Sequence, residues 1–296
     1  MKNRPLLFYF IILVILCVGM IAGMLALAEQ TVFLVQAYML TPAIAAIITR
    51  AFFYEHKFKD ANLRFGKWDD YLKFWAAGIA ITLLSYAFFT LLGSISWDFS
   101  GVTFLDNLAK QFAMGGQDIQ DTLPPGFTPE MMLWLFFAGG LTVFNIMLGL
   151  ITGFGEEFGH RGLMFPLLYR IHPFVGFVIG GLLWYAWHLP LALVSPVDPG
   201  LTLSEILGNH LVLAIGSICT FIYLAFVYVR SSSIFVAAIA HITLNNAAVA
   251  FSYFVTVENQ LMANIGLTLT MLVVVASLYL RGQLQVFSRA PELRRN

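Results

Sequence analysis

Four ionisable side chains stand together where few are expected. Glu156, Glu157, His160 and Arg161 fall within GEEFGHRG at 155–162, between the apolar runs ITGF and LMFPLL. A charged side chain at bilayer depth costs about 3 kcal/mol or more unless it is paired or faces water, so such groups mark functional sites. Glu157 and Arg161 are spaced i and i+4, on one face of a helix. The glutamate is on the N-terminal side, the better order for an ion pair. Glu156 is rotated by about 100° from Glu157. The carboxylates therefore take different roles, one held by arginine and the other turned toward the bundle interior. Taken alone, the cluster reads equally well as a charged helix end with simple salt bridging.

Two more stretches carry polar groups inside apolar segments. In WYAWHLP, 184–190, His188 comes late in a run that is otherwise apolar from Phe174. Trp184 precedes it by one turn, and Pro190 interrupts the helix just after, which can free a backbone carbonyl. In AHITLNN, 240–246, His241 and Asn245 are spaced i and i+4 and share a face. Asn246 points elsewhere and reads as helix–helix glue. Glu156, His188, His241 and Asn245 would supply a general base, a proton shuttle and donors to an oxyanion. Those groups can add water to a peptide carbonyl. Two histidines and a carboxylate can equally hold a catalytic zinc ion, and the residue types alone leave both readings open.

The elements that must position these groups follow from composition. Of 296 residues 59% are hydrophobic and 11% charged, against about 25% charged in soluble domains. This is a polytopic membrane protein, all-α, built as a bundle of about eight transmembrane helices. The net charge of zero gives no case for nucleic acid. Spans of about 20 apolar residues are expected near 5–28, 31–54, 71–94, 131–155, 174–194, 209–229, 234–254 and 261–280. The first is too long for a signal-peptide core, so it reads as a retained helix. With eight spans, fifteen of the sixteen lysines and arginines fall on the side of the termini, and only Lys110 on the other. That asymmetry places both termini in the cytoplasm. The loop 95–130, with Asp98, Asp106, Asp118, Asp121 and Glu130, then faces outside. No repeat or linker divides the chain, so 1–296 is expected to be a single transmembrane domain with its motif-bearing core at about 131–254.

The order of the three motifs resembles that of the CAAX protease and bacteriocin-processing family of intramembrane endopeptidases, also called the Abi family. Its pattern is EExxxR, FxxxH and HxxxN, each on its own helix. Here these read EEFGHR (156–161), WYAWH (184–188) and HITLN (241–245), with Trp184 where phenylalanine is usual. The resemblance implies hydrolysis of a peptide bond in a membrane-associated or lipidated substrate, including removal of the last three residues of prenylated proteins. It implies that Glu156 and His188 activate water, that His241 and Asn245 stabilise the oxyanion, and that Glu157 and Arg161 hold the site together. The family has been described both as zinc-dependent and as metal-free. Asn245 is a poor zinc ligand and a good oxyanion donor, which favours no metal.

Non-proteolytic readings stand beside this one. Buried Glu, His and Arg also mark proton-coupled transporters, and the same residues would suit a peptide-binding or immunity-type scaffold. The sequence has no HExxH, GxSG or GxGD motif. His56, His172 and His210 read as structural or solvated. Cys17 and Cys219 read as small buried hydrophobes. The basic loop 55–73 suits contact with anionic headgroups.

Overall fold

The computed structural model describes residues 4–27, 31–55, 57–114, 126–194, 202–290 and 293. His56, Asp118, Asp121 and the terminal residues Lys2, Arg294 and Arg295 lie outside the described residues. The protein is all-α and polytopic. Seven described helical spans are long and apolar enough to cross a membrane. Their outward faces carry apolar side chains, such as Leu7, Val14 and Val18 on the first helix, each about 60% exposed. That pattern suits helices solvated by lipid, where the backbone satisfies itself internally.

The N-terminal half comprises α1 (Arg4–Ala26), α2 (Thr31–Tyr38), α3 (Thr41–Phe53) and α4 (Trp68–Leu91), then the short strand β1 (Ile95–Trp97) and α5 (Val102–Met114). The C-terminal half comprises α6 (Pro129–Leu141), α7 (Val143–Gly159), a π turn (His160–Met164), α8 (Phe165–Ile171), a second π turn (Val175–Ile179) and α9 (Gly180–His188). After a 3-10 segment (Leu189–Leu193) come α10 (Leu203–Ser231), α11 (Ile234–Ser252), β2 (Val255–Val257), α12 (Gln260–Leu280) and α13 (Val286–Arg289).

Two expected spans are each split: 31–54 bends at residues 39–40 between α2 and α3, and 131–155 is interrupted outright. The segment 131–155 is two helices, not one, because the chain breaks at Thr142, whose backbone is extended (φ −105°, ψ 177°). Gly139 and Gly140 precede the break and give that stretch little helical preference. The second limb, α7, continues through the π turn into α8 and ends at Ile171. GEEFGHRG is therefore not the frayed end of a helix. It lies mid-run and is buried throughout.

Glycines set the spacing around it. A Cβ on Gly149 or Gly153 would lie 2.9 or 2.5 Å from the Ile242 side chain of α11. A Cβ on Gly155 would reach Leu40, and one on Gly159 would lie 2.3–2.5 Å from Pro42. GLITG and GFGEEFG thus form two small-residue faces of one helix, which let α7 sit close to α11 and to the α2–α3 elbow. Such contacts drive association in lipid, where apolar burial from water does not. At one end of the bundle β1 pairs antiparallel with β2, Ser96 opposite Thr256. Beside that strand pair the Asp98 carboxyl is held well below the usual range by hydrogen bonds from Ser100 and Thr103.

Candidate active site

The pair expected from spacing is present. Arg161 Nη1 lies 2.8 Å from Glu157 Oε1, with neither side chain exposed. The guanidinium is sandwiched between aromatic faces, 4.7 Å from the Trp184 ring centroid and 4.3 Å from that of Phe221. Cation–π contact offsets part of its lost hydration. His241 Nδ1 approaches the same Glu157 oxygen at 2.8 Å. One carboxylate oxygen therefore holds both an arginine of its own helix run and a histidine of α11.

Glu156 is turned away from this pair and faces a different imidazole. Its Oε2 lies 3.8 Å from His188 Nε2 and accepts a hydrogen bond from Trp184 Nε1 at 3.2 Å. The His188 Nδ1 lies 3.0 Å from the Trp184 carbonyl. A carbonyl only accepts, so Nδ1 carries the proton, and neutral His188 presents the Nε2 lone pair to Glu156. Two acceptors at that spacing suit one shared water, which can donate a hydrogen to each. His241 obeys the same logic. Its Nδ1 proton goes to Glu157, so its Nε2 accepts when the ring is neutral and donates only when the ring is cationic.

The site faces a polar cavity of about 450 Å³ between α2, α7 and α11, lined by Gln36, Thr152, Glu156, Asn245 and Asn246. A second cavity, of about 230 Å³ and mostly apolar, opens on the other face of α11 and reaches Trp184, His241 and Asn245. Asn245 lines both, and its side chain is exposed to that space. The structure therefore brings together Glu156, His188, Glu157, Arg161 and His241. Asn245 stands at the cavity wall one turn beyond His241. Among the described residues, no three His, Cys, Asp or Glu side chains stand within reach of a common metal ion.

Three features were missed in the sequence. Trp184 is the hub of the site: its ring meets the His188 and His241 rings edge-on at 5.3 and 5.7 Å, besides its hydrogen bond to Glu156. A buried indole N–H needs an acceptor, so tryptophan at a position where phenylalanine is usual was a readable sign of a nearby polar group. Arg50, expected among the charges on the cytoplasmic side, is buried. It donates to the Gly162 carbonyl at 2.6 Å and to Asp60 at 2.5 Å. The π turn shifts the hydrogen-bond register beside the site, and Arg50 supports a carbonyl there. Behind His188, the Tyr38 hydroxyl donates to the Trp187 carbonyl at 2.6 Å, and Trp187 Nε1 donates to Thr41 at 3.2 Å. Pro190 has no N–H to offer the carbonyls at the end of α9, and the Tyr38 hydroxyl at the α2–α3 elbow meets that of Trp187.

His160 is buried against Trp187, at a ring-centroid distance of 5.2 Å. Among the described residues, neither of its ring nitrogens has a hydrogen bond of good geometry. His172 accepts from the Phe174 backbone and His210 pairs with the Tyr185 hydroxyl, both away from the site. The Asn246 amide nitrogen is buried and has no hydrogen-bond partner among the described residues.

The fold and the site together define a class: a polytopic helical membrane protein with a carboxylate–imidazole centre buried in its bundle. Residues 138–247 match the family model described as Rce1-like, type II CAAX prenyl endopeptidase. At the family level this match supports a CAAX-type intramembrane protease, a membrane-embedded protein with a peptide substrate. The matched stretch contains all three motifs. No curated protein matches the chain.

Proposed function

We propose that this protein is an intramembrane endopeptidase that hydrolyses a peptide bond in a membrane-associated or lipidated protein or peptide without a metal. The observation that carries the reading is the Glu156–His188 pair, 3.8 Å apart, with Glu156 on the wall of a polar cavity. A water between them donates one hydrogen to Glu156 and the other to His188 Nε2. Glu156 takes a proton as the oxygen adds to the scissile carbonyl carbon. The charge that develops on the carbonyl oxygen is met by the Asn245 amide and by cationic His241. The tetrahedral intermediate collapses with cleavage of the C–N bond. The proton held by Glu156 passes to the leaving nitrogen, giving a new carboxyl terminus and a new amine. Glu157 and Arg161 hold His241 and the helix run in place without touching substrate. The whole chain forms one transmembrane domain, with the catalytic core at about 131–254. On the lysine and arginine asymmetry, both termini are cytoplasmic.

Reconstituted protein and a farnesylated peptide ending in a CAAX sequence test this. Glu156→Ala and His188→Ala abolish cleavage with folding intact. Asn245→Ala slows it by about 10²–10³ if it is an oxyanion donor. Near-normal turnover by the Glu156→Ala protein would defeat the assignment. Elemental analysis decides the metal: stoichiometric zinc, with activity lost to a chelator, overturns the metal-free mechanism.

A further inference from the structure

The polar cavity holds more hydrogen-bonding capacity than the reaction above uses. Besides Glu156 and Asn245, its wall carries two carboxamides, Gln36 on α2 and Asn246 on α11. Gln36 is exposed, on an otherwise apolar helix. Among the described residues, the Asn246 amide nitrogen is buried and has no hydrogen-bond partner. A buried donor left unpaired is unfavourable and uncommon in folded proteins, and each case calls for an explanation. Asn246 is held there because Gly149 and Gly153 admit Ile242, which fixes the rotation of α11 against α7.

We propose that Asn246 and Gln36 form a clamp for the substrate main chain, binding the peptide units next to the scissile bond so that its carbonyl sits over Glu156. The proposal rests on the endopeptidase reading and adds how that site recognises its substrate. A carboxamide presents one acceptor and a pair of donors, the complement of a peptide unit. Among the described residues, no lysine or arginine lines the cavity, and Glu156 does. An anionic ligand, a free terminal carboxylate included, is therefore disfavoured, and neutral amide units suit the wall. The cavity volume of about 450 Å³ falls within the usual range for ligand sites, about 300–1,000 Å³. The two amides come from different helices, so an extended peptide between them would bridge α2 and α11. Because the contact is with backbone, it is independent of the substrate's side chains. Asn246 and Gln36 are positioning residues in this scheme.

The test is a coupling measurement on the full chain in liposomes. The probe is the farnesylated CAAX peptide, together with versions in which one amide next to the scissile bond is replaced by an ester, which removes its N–H and leaves a weaker carbonyl acceptor, so that both hydrogen bonds of a carboxamide contact are weakened. Binding is read by fluorescence anisotropy in a Glu156→Gln background, which prevents turnover. For one ester position, affinity should fall about tenfold, roughly the value of one hydrogen bond. Adding Asn246→Leu should weaken the all-amide peptide by about the same factor and remove the penalty of that ester. Asn246→Ala provides a smaller variant if leucine perturbs folding, and Gln36→Ala should behave likewise at a neighbouring ester position. In the active enzyme these changes should fall on KM rather than kcat. If Asn246→Leu and Asn246→Ala weaken amide and ester peptides equally, Asn246 is merely structural and the clamp is refuted. Unchanged affinity refutes it too. A wild-type protein that binds the peptide and never cleaves it defeats the endopeptidase reading while the clamp remains measurable. One that does not bind the peptide defeats both.

Discussion

Replacing either glutamate of the pair by glutamine should give two different proteins, although the residues are adjacent and the change is isosteric. Glu157 and Arg161 are both fully buried, 2.8 Å apart. Glu157→Gln removes the only carboxylate in hydrogen-bond contact with Arg161 among the described residues and strands the guanidinium between two aromatic rings. Breaking a buried pair this way costs about 3–5 kcal/mol, a large share of a total stability of about 5–15 kcal/mol. At about 2–4 °C per kcal/mol for a large domain, melting should fall by about 6–20 °C. Glu156→Gln strands no cation. The glutamine oxygen still accepts from Trp184 Nε1, so melting should move by no more than about 2 °C. Turnover, however, should fall by at least about 10³-fold with the base removed. The assays are thermal melting in lipid nanodiscs and cleavage of a quenched CAAX peptide. The reasoning fails if Glu157→Gln melts with the wild type or if Glu156→Gln keeps cutting. A Glu157→Leu, Arg161→Met double variant should recover much of the lost stability, because it removes both charges rather than one.

Two other substitutions probe the scaffold. Gly159→Ala places a Cβ about 2.3–2.5 Å from Pro42, including its backbone, so the α2–α3 elbow must move. The loss should be about 3 kcal/mol, the upper end of the overpacking range, read as a lower melting temperature, and an unchanged melt would mean the elbow is free to shift. Tyr38→Phe removes the donor to the Trp187 carbonyl at a cost of about 1 kcal/mol, and it should lower kcat through looser placement of His188. If kcat matches the wild type, the elbow does not position that imidazole.

The class of the protein and much of the site were legible in the chain. Membrane residence follows from the length and purity of apolar runs, a property of local composition that needs no partner. The Glu157–Arg161 pair follows from helical spacing alone, and so does the divergence of Glu156. The break at Thr142 was less legible, since Gly139 and Gly140 weaken a helix without saying where it stops. The π turn at His160–Met164 was not legible, because one extra residue per turn depends on what packs against the helix. Asn246 was read as helix glue, and its unpaired amide emerges only when the neighbouring helices are in place.

Sequence spacing decides which side chains share a helix face, because that is a property of 3.6 residues per turn. It says nothing about which face meets which. That Glu156 finds His188 and Glu157 finds His241, 84 positions away, follows from packing. Glycines at 149, 153, 155 and 159 bring α7 within contact of two neighbours, and that approach fixes the helix rotation. Spacing thus separates two adjacent, chemically identical carboxylates by face, and packing supplies what each face meets: His241 for Glu157, His188 and a cavity for Glu156.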